Sequence, residues 1–141
     1  MTVKQISIFI ENKSGTMLTV LETLKAAGIQ IIASAVSDTV DYGIYRIICS
    51  DPNKALEILR SRGISVTIAD VFAVELEDVP GMAADAVQTI AAAGININYL
   101  YSFLFKGKGI LIFRTNDTEK TLQTISDAGL KLLTPESFLL G

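Results

Sequence analysis

The sequence contains no histidine and no tryptophan, and it has a single cysteine among 141 residues. Histidine is the commonest general base and the commonest transition-metal ligand, so its absence argues against most hydrolytic and metal-dependent enzymes. One cysteine excludes a disulfide within the chain, and it excludes the paired cysteines that a metal-carrying chaperone needs. Because Cys49 follows an apolar run (residues 44–48), we expect it to be a small buried side chain and no reactive thiol.

Long hydrophobic runs and clusters of like charge are also missing. No segment approaches the ~20 apolar residues of a membrane-spanning helix, and the apolar stretch near the N-terminus is broken at Glu11, unlike a signal peptide. The net charge is −3 and there is no basic cluster, which argues against nucleic acid or an anionic membrane as a partner. We therefore expect a cytoplasmic protein that binds neither nucleic acid nor membrane.

The sequence does contain an internal repeat. When the chain is shifted by 66 positions against itself, four pairs of glycines coincide: Gly15 and Gly81, Gly28 and Gly94, Gly43 and Gly109, Gly63 and Gly129. Residues 6–71 and 72–137 share 14 identical positions without a gap. Because glycines mark turns and close backbone contacts, the two copies are predicted to share one fold. We predict two units, residues 1–70 and 71–141.

Each copy has the same predicted order of elements, described here for the first. Alternating apolar residues over 6–10 predict a strand, and a polar, glycine-bearing loop (residues 11–15) leads into an amphipathic helix that ends at Gly28. Two strands follow, joined by a hairpin that contains Gly43 (Gly109 in the second copy), and then come a short helix capped by Asp51 and a last strand. This β-α-β-β-α-β order predicts an α+β protein of two tandem ferredoxin-like units. Each antiparallel sheet would carry its helices on one face, and the units would pack side by side.

Two further patterns concern the ends of the copies. Residues 66–76 contain neither proline nor glycine, so a long strand is predicted to join the two copies without a linker. Residues 138–140 match residues 72–74 at the same offset of 66, which predicts the start of a third copy and an extra edge strand. Spare edges and the high apolar content favour a homodimer.

The residues carry few signs of catalysis or of RNA binding. Aromatic side chains alternate along one predicted strand at positions 99, 101, 103 and 105, but few basic residues accompany them, so a covered sheet face is favoured over base stacking. An acylphosphatase-like enzyme would need an arginine in the first loop, and the two loops offer only Lys13. No nucleophile–base pair, paired-carboxylate motif or phosphate-binding loop is evident, so we predict that the chain is not an enzyme.

The repeated junction between loop and helix is the strongest candidate site. A helix N-terminus presents unpaired backbone N–H groups and a positive dipole end, and both favour a small carboxylate. An amide residue recurs at a second fixed place, with Gln30 in the first copy and Asn96 in the second.

These motifs resemble the ACT domain, the small-molecule regulatory module of amino-acid metabolism. The resemblance lies in residues 12–15 (NKSG) with 27–31 (AGIQI), and in residues 78–81 (DVPG) with 93–97 (AGINI). It implies the same β-α-β-β-α-β fold, domains that pair side by side, and a free amino acid held at the seam between paired domains. No cofactor and no metal are implied.

The resemblance also implies which residues hold the ligand. Asn12 and Asn96 would form the better site, with backbone N–H groups near Gly15 binding the carboxylate, and Asp78 with Gln30 would form the second. Because Asp78 would repel a carboxylate, it would bind an α-ammonium group or leave that site inactive, and Ala83 is smaller than the residue usual in the family. The predicted ligand-binding set is Asn12, Ser14, Gly15, Thr16, Met17, Gln30, Ile31, Asp78, Val79, Pro80, Gly81, Met82, Asn96 and Ile97.

Three classes of function remain open on this sequence. The first is a regulatory module that binds a free amino acid or similar small carboxylate and acts on a separate metabolic enzyme or regulator. The second is a scaffold or interaction module of the same fold without a ligand, and the third is a small enzyme with an unrecognised site. Apolar residues near the loops, such as Met17, Leu18 and Met82, indicate a ligand with a hydrophobic side chain.

Overall fold

The computed structural model describes residues 2–11, 13–38, 42–77 and 79–138. These residues form seven β-strands, four α-helices and one 3-10 helix. In chain order the elements are β1 (Val3–Ile10), α1 (Lys13–Ala26), β2 (Ile31–Asp38), β3 (Gly43–Cys49), α2 (Pro52–Ser61), β4 (Val66–Leu76), α3 (Met82–Ala92), β5 (Ile97–Phe105), β6 (Lys108–Thr115), α4 (Thr118–Asp127), β7 (Lys131–Leu132) and a 3-10 helix (Pro135–Phe138). The β-α-β-β-α-β order therefore occurs twice, and the predicted α+β fold is confirmed.

The chain divides into two compact units. The N-terminal unit comprises Lys4–Ala69, and the C-terminal unit comprises Asp70–Leu140 together with Met1–Val3. The division falls within β4, which runs without interruption from Val66 to Leu76. The long strand predicted between the two copies is thus confirmed.

The N-terminal unit is an antiparallel sheet with its helices on one face. Its strand order is β2-β3-β1-β4, and at the border of β1 with β4 the backbone N–H of Phe9 donates to the carbonyl of Ser65 at 2.9 Å. Alternate residues of β1 and β3, such as Ile8 and Ile47, pack against Leu24 of α1 and Leu59 of α2. Buried apolar residues thus recur at every second position of the strands and about every fourth position of the helices, as the sequence pattern predicts.

The C-terminal unit repeats this arrangement with the strand order β7-β4-β6-β5. Its core joins Phe72 of β4 and Phe113 of β6 to Ile90 of α3 and Ile125 of α4. The two phenylalanine rings are tilted against each other with centroids 5.4 Å apart. Aromatic side chains thus fill the centre of this unit, where the first copy has isoleucine at the position matching Phe113.

Both short helices begin with the predicted aspartate caps. The Asp51 carboxylate accepts a hydrogen bond from the backbone N–H of Lys54 at 3.1 Å, and Asp117 accepts one from Lys120 at 3.0 Å. Such a cap satisfies one of the N–H groups that a helix start leaves unpaired. The repeat therefore preserves the capping side chain as well as the order of elements.

Three details of the sequence prediction are wrong. Gly15 lies within the first turn of α1, because that helix already begins at Lys13. Gly109 lies in β6, since the hairpin turns at Lys106 and Gly107, which both have positive φ. Phe138 belongs to a 3-10 helix and starts no third copy of the strand. The rest of that predicted edge strand, residues 139–140, lies outside the described residues.

The aromatic residues of β5 lie on the sheet face opposite the helices. Tyr101 pairs with Ile112 and Phe103 with Ile110 across the strands, whereas the core-facing Leu111 and Phe113 pair with Ser102 and Leu100. Phe138 packs on this face, with its ring centroid 6.2 Å from that of Phe103 and 5.4 Å from that of Phe105. The 3-10 helix thus covers these two rings, and the prediction that the rest of this face is covered stays a prediction.

Candidate functional site

The two junctions between loop and helix differ in structure. In the first copy α1 starts at Lys13, so Ser14 and Gly15 are exposed residues of its first turn. In the second copy Gly81 is the N-cap residue of α3, with φ of +89°, and it has no side chain to cap that helix. A left-handed conformation of this kind favours glycine. The N-terminus of α3 therefore presents backbone N–H groups where α2 and α4 present a capped end.

A cleft of about 400 Å³, which we call the α3 cleft, opens beside this uncapped helix in the C-terminal unit. Its lining comes from the end of β4 (Leu76 and Glu77), the following loop (Val79), the first turn of α3 (Met82 and Ala83), residues 102–104 of β5 and residues 109–111 of β6. The volume lies at the lower end of the ≈ 300–1,000 Å³ range of small-molecule sites. Among the described residues, this cleft combines an apolar lining with the acidic residue Glu77 and a helix N-terminus.

A second cleft, of about 250 Å³, lies in the N-terminal unit beside the start of α1. It is lined by Phe9, Glu11, Thr16, Thr19 and residues 63–65. At the matching place in the second copy, Glu75 and Lys131 replace Phe9 and Ser65, and they form an ion pair at 3.2 Å. The two units thus carry clefts of different position and chemistry.

The amide positions lie away from these two clefts within their own units. The Gln30 side chain is exposed, while its backbone exchanges hydrogen bonds with Ser50, whose N–H donates to the Gln30 carbonyl and whose hydroxyl accepts from the Gln30 N–H, both at 2.9 Å. Gln30 and Ile31 line a shallow groove at the end of α1. Asn96 is likewise exposed, just before β5. Their participation in a ligand site stays a prediction.

The structure brings together part of the predicted set. Val79 and Met82 meet in the α3 cleft, and Thr16 lines the cleft beside α1. Met17, Ile31 and Ile97 pack partly buried against the cores of their units, and Ser14, Gly15, Pro80 and Gly81 are exposed. Asn12 and Asp78 lie outside the described residues.

Sequence reasoning missed Glu77, Ser102 and Leu104, which line the α3 cleft. A signal was present, because β5 is apolar at even as well as odd positions: Leu100 and Leu104 alternate with the aromatic residues. In a strand with only one buried face, the other face is expected to be polar. Apolar residues on both faces therefore mark a second contact surface.

The described residues offer little else that is chemically reactive. Within residues 2–11, 13–38, 42–77 and 79–138, no group of three or more Cys, Asp or Glu side chains is arranged to hold a metal ion. In the same part of the chain, none of the helices has the length and apolar character needed to cross a membrane.

The single cysteine is buried, as predicted. Cys49 is 6% exposed at the end of β3, and desolvation by this burial raises the pKa of its thiol to about 11. A hydrogen bond with the backbone of Asp51 opposes this rise in pKa, and the negative charge of Asp51 adds a smaller increase. In the second copy the same place holds Thr115, whose hydroxyl is 2.7 Å from that of Thr121. In the first copy Cys49 and Ala55 occupy the positions that match Thr115 and Thr121, and they pack in the apolar core instead of forming a hydrogen bond.

We expect Cys49 to resist alkylation in the folded protein. Because the pKa is raised, the thiol stays neutral up to higher pH, and at pH 8 the thiolate should be roughly 100-fold scarcer than for an ordinary cysteine of pKa 9.0. Iodoacetamide labelling followed by mass spectrometry should therefore be slow in native protein and fast in urea, and it should accelerate as pH approaches 11. Equal native and unfolded rates at pH 8 would contradict the burial.

Comparisons with known proteins identify a family and several solved structures that are similar to this chain. A family model described as an ACT domain pair matches residues 1–139. Protein BT0572 from Bacteroides thetaiotaomicron is 33% identical, with a TM-score of 0.93 over 100% of this chain and 98% of that one. The regulatory subunit of aspartate kinase from Thermus thermophilus, in a ligand-free form, is 18% identical, with a TM-score of 0.63 over 90% and 92% of the two chains. The corresponding subunit from Thermus flavus is 19% identical, with a TM-score of 0.61 over 91% and 93%. No curated protein matches the chain.

Proposed function

Because the chain belongs to the ACT family as an ACT domain pair, we propose that it binds a free amino acid and regulates a separate enzyme or regulator. ACT domain pairs are regulatory modules, and the kinase subunits that share this fold are named as regulatory subunits. Family membership shows a regulatory module, and our proposal adds the kind of ligand and the separate protein that the module regulates.

The observation that carries the proposal is the uncapped N-terminus of α3 at the mouth of the α3 cleft. The helices α2 and α4 satisfy their first N–H groups with Asp51 and Asp117, whereas Gly81 offers α3 no side chain. Gly81 therefore leaves the first-turn N–H groups of α3 without a cap from the N-cap residue, and the helix dipole favours an anion there. An amino-acid carboxylate suits both features.

The proposed contacts of the ligand follow the two junctions. We assign Asn12 and Asn96 to one site, with the first turn of α1 around Gly15, and we assign Asp78 and Gln30 to the other. The structure supports the second junction through the α3 cleft, which Val79 and Met82 line. An asparagine side chain both donates and accepts, so it can bind either charged group of an amino acid.

We also propose that the protein is a homodimer. Strand β5 lies at the end of its sheet and pairs with β6 alone among the described strands of its unit. It runs for nine residues without a charged side chain, so it lacks the lysines and prolines that usually protect an exposed edge from pairing.

Titration calorimetry with each of the twenty amino acids tests the proposed function. We expect one amino acid, or a few related ones, to bind the full chain, and Asn12→Ala to weaken binding at the first junction, one of the two assigned sites, by about ten-fold. The reason is that a hydrogen bond to a charged group contributes roughly 1.5–3 kcal/mol. Asn53→Ala removes an exposed asparagine from α2 and serves as the control.

The outcomes of this titration separate the site from the function. Unchanged affinity in Asn12→Ala would move the ligand away from the first junction and leave the function in place. If none of the twenty amino acids binds the unmodified chain, the proposed function is wrong.

A further inference from the structure

The lining of the α3 cleft includes large apolar side chains that the fold leaves in solvent. Leu104 is 67% exposed and Val79 is 51% exposed, although both belong to the C-terminal unit with its well-filled core. Single exposed apolar residues are ordinary, but several that line one cleft indicate a surface meant to be covered. Half-buried Met82 continues the same surface toward the core.

Four apolar residues of this lining have polar or charged counterparts 66 positions earlier: Lys13 matches Val79, Thr16 matches Met82, Ser37 matches Phe103, and Asp38 matches Leu104. At two other lining positions the first copy is the more apolar, with Met17 for Ala83 and Val36 for Ser102. The fold is the same in both copies, so the backbone does not require apolar residues at these places. Their presence in one copy points to what this cleft holds.

The polar groups at the α3 cleft have opposite preferences. The Glu77 carboxylate favours a cation, and the N-terminus of α3 favours an anion. A zwitterion with a separate apolar part satisfies both groups and covers the exposed leucine and valine. This combination describes an α-amino acid with an aliphatic or aromatic side chain.

We propose that the α3 cleft selects an apolar amino acid, with the ligand carboxylate on the first turn of α3, the ammonium group at Glu77, and the side chain against Val79, Met82 and Leu104. This inference rests on the proposed function, because it specifies the ligand of the module. The same contacts disfavour charged side chains, since a charge placed on this apolar lining would lose its hydration without a partner.

The test is titration of the full chain with two groups of amino acids. We expect L-leucine, L-methionine or L-phenylalanine to bind at least about ten-fold more tightly than L-lysine, L-threonine or L-glutamate. Leu104→Asp introduces the residue of the first copy and should weaken apolar amino acids by about ten-fold or more. Met82→Thr, also the first-copy residue, should act in the same direction.

Val36→Asp is the matched control. Val36 is also an exposed apolar residue of a strand, at 52% exposure in β2, but it does not line the α3 cleft. It should leave the Kd unchanged, and thermal unfolding of each variant verifies that the fold is retained.

Three results would overturn the inference. Preferential binding of lysine, threonine or glutamate would disprove the apolar selectivity while the proposed function survives. Apolar binding that Leu104→Asp and Met82→Thr leave unchanged would place the ligand elsewhere in the chain. Absence of binding by any amino acid would remove both the inference and the function on which it rests.

Discussion

Replacement of Phe113 by alanine is expected to lower the free energy of unfolding by about 3–5 kcal/mol. Phe113 is 1% exposed in β6, and its ring packs against Phe72 and the residues of α3 and α4 in the core of the C-terminal unit. Alanine removes the ring and leaves a cavity, which the paired strands on either side prevent from collapsing. The loss therefore combines the transfer energy of the ring with the cost of the cavity.

Urea denaturation followed by circular dichroism measures this loss, and Leu100→Ala provides the control. Leu100 is the cross-strand partner of Phe113 on β5, yet it is 46% exposed. Its truncation should cost less than about 1 kcal/mol, since surface substitutions seldom change stability more. Equal losses for the two variants would contradict the described core.

The second large expected effect is stabilisation by the ligand. An amino acid present at one hundred times its Kd should raise the free energy of unfolding by about 2.7 kcal/mol, because it binds the folded state alone. A shift of the urea midpoint at constant slope is the measurement. Leu104→Asp, at the same ligand concentration, should lose about half or more of the shift, since a ten-fold weaker Kd removes about 1.4 kcal/mol.

This experiment also separates two classes of function. A scaffold of the same fold without a ligand would show no shift with any of the twenty amino acids. In that case the exposure of Leu104 would be explained by a protein partner and no longer by an amino acid. A shift that is as large in Leu104→Asp as in the unmodified chain would keep the ligand and reject the α3 cleft.

The fold was predictable because its signals are local and occur twice. Strand alternation, the aspartate caps and the glycines that follow the helices each indicate a backbone conformation. Each of these signals recurs 66 residues later, so the two copies support the same assignment of elements. Gly15 shows the limit of this reasoning. A glycine permits a left-handed turn without requiring one, and here the residues before it already form a helix.

The C-terminal end shows a similar limit. Phe138 matches Phe72 of β4, but a matching residue joins a strand only where a neighbouring strand offers hydrogen bonds. Thr134 and Ser137 close a turn instead: the Ser137 N–H donates to the Thr134 carbonyl at 3.0 Å, and its hydroxyl accepts from the Thr134 N–H at 3.1 Å. Phe138 is then positioned to contact the rings of β5.

The candidate site was predictable only in part. The loop residues Val79 and Met82 belong to a motif that the sequence shows directly. Leu104 comes from a distant strand, and its position depends on the pairing of β5 with β6, which places Leu104 opposite Gly109. Because both faces of β5 are apolar, alternation alone does not show which face meets the helix. The pairing register of β5 with β6 therefore decides that Leu104 lines the cleft, and the apolar pattern of β5 does not show that register.

The aspartate caps of α2 and α4 bear on the origin of the internal repeat. The same side chain makes the same hydrogen bond at positions 51 and 117, so the capped helix existed before the ancestral segment was duplicated. Residues around the clefts and many residues of the helices differ between the copies, whereas the capping aspartates and the glycines that follow the helices are identical. Duplication thus gave one polypeptide two copies of an architecture, and the second copy was free to acquire a chemistry that the first does not have.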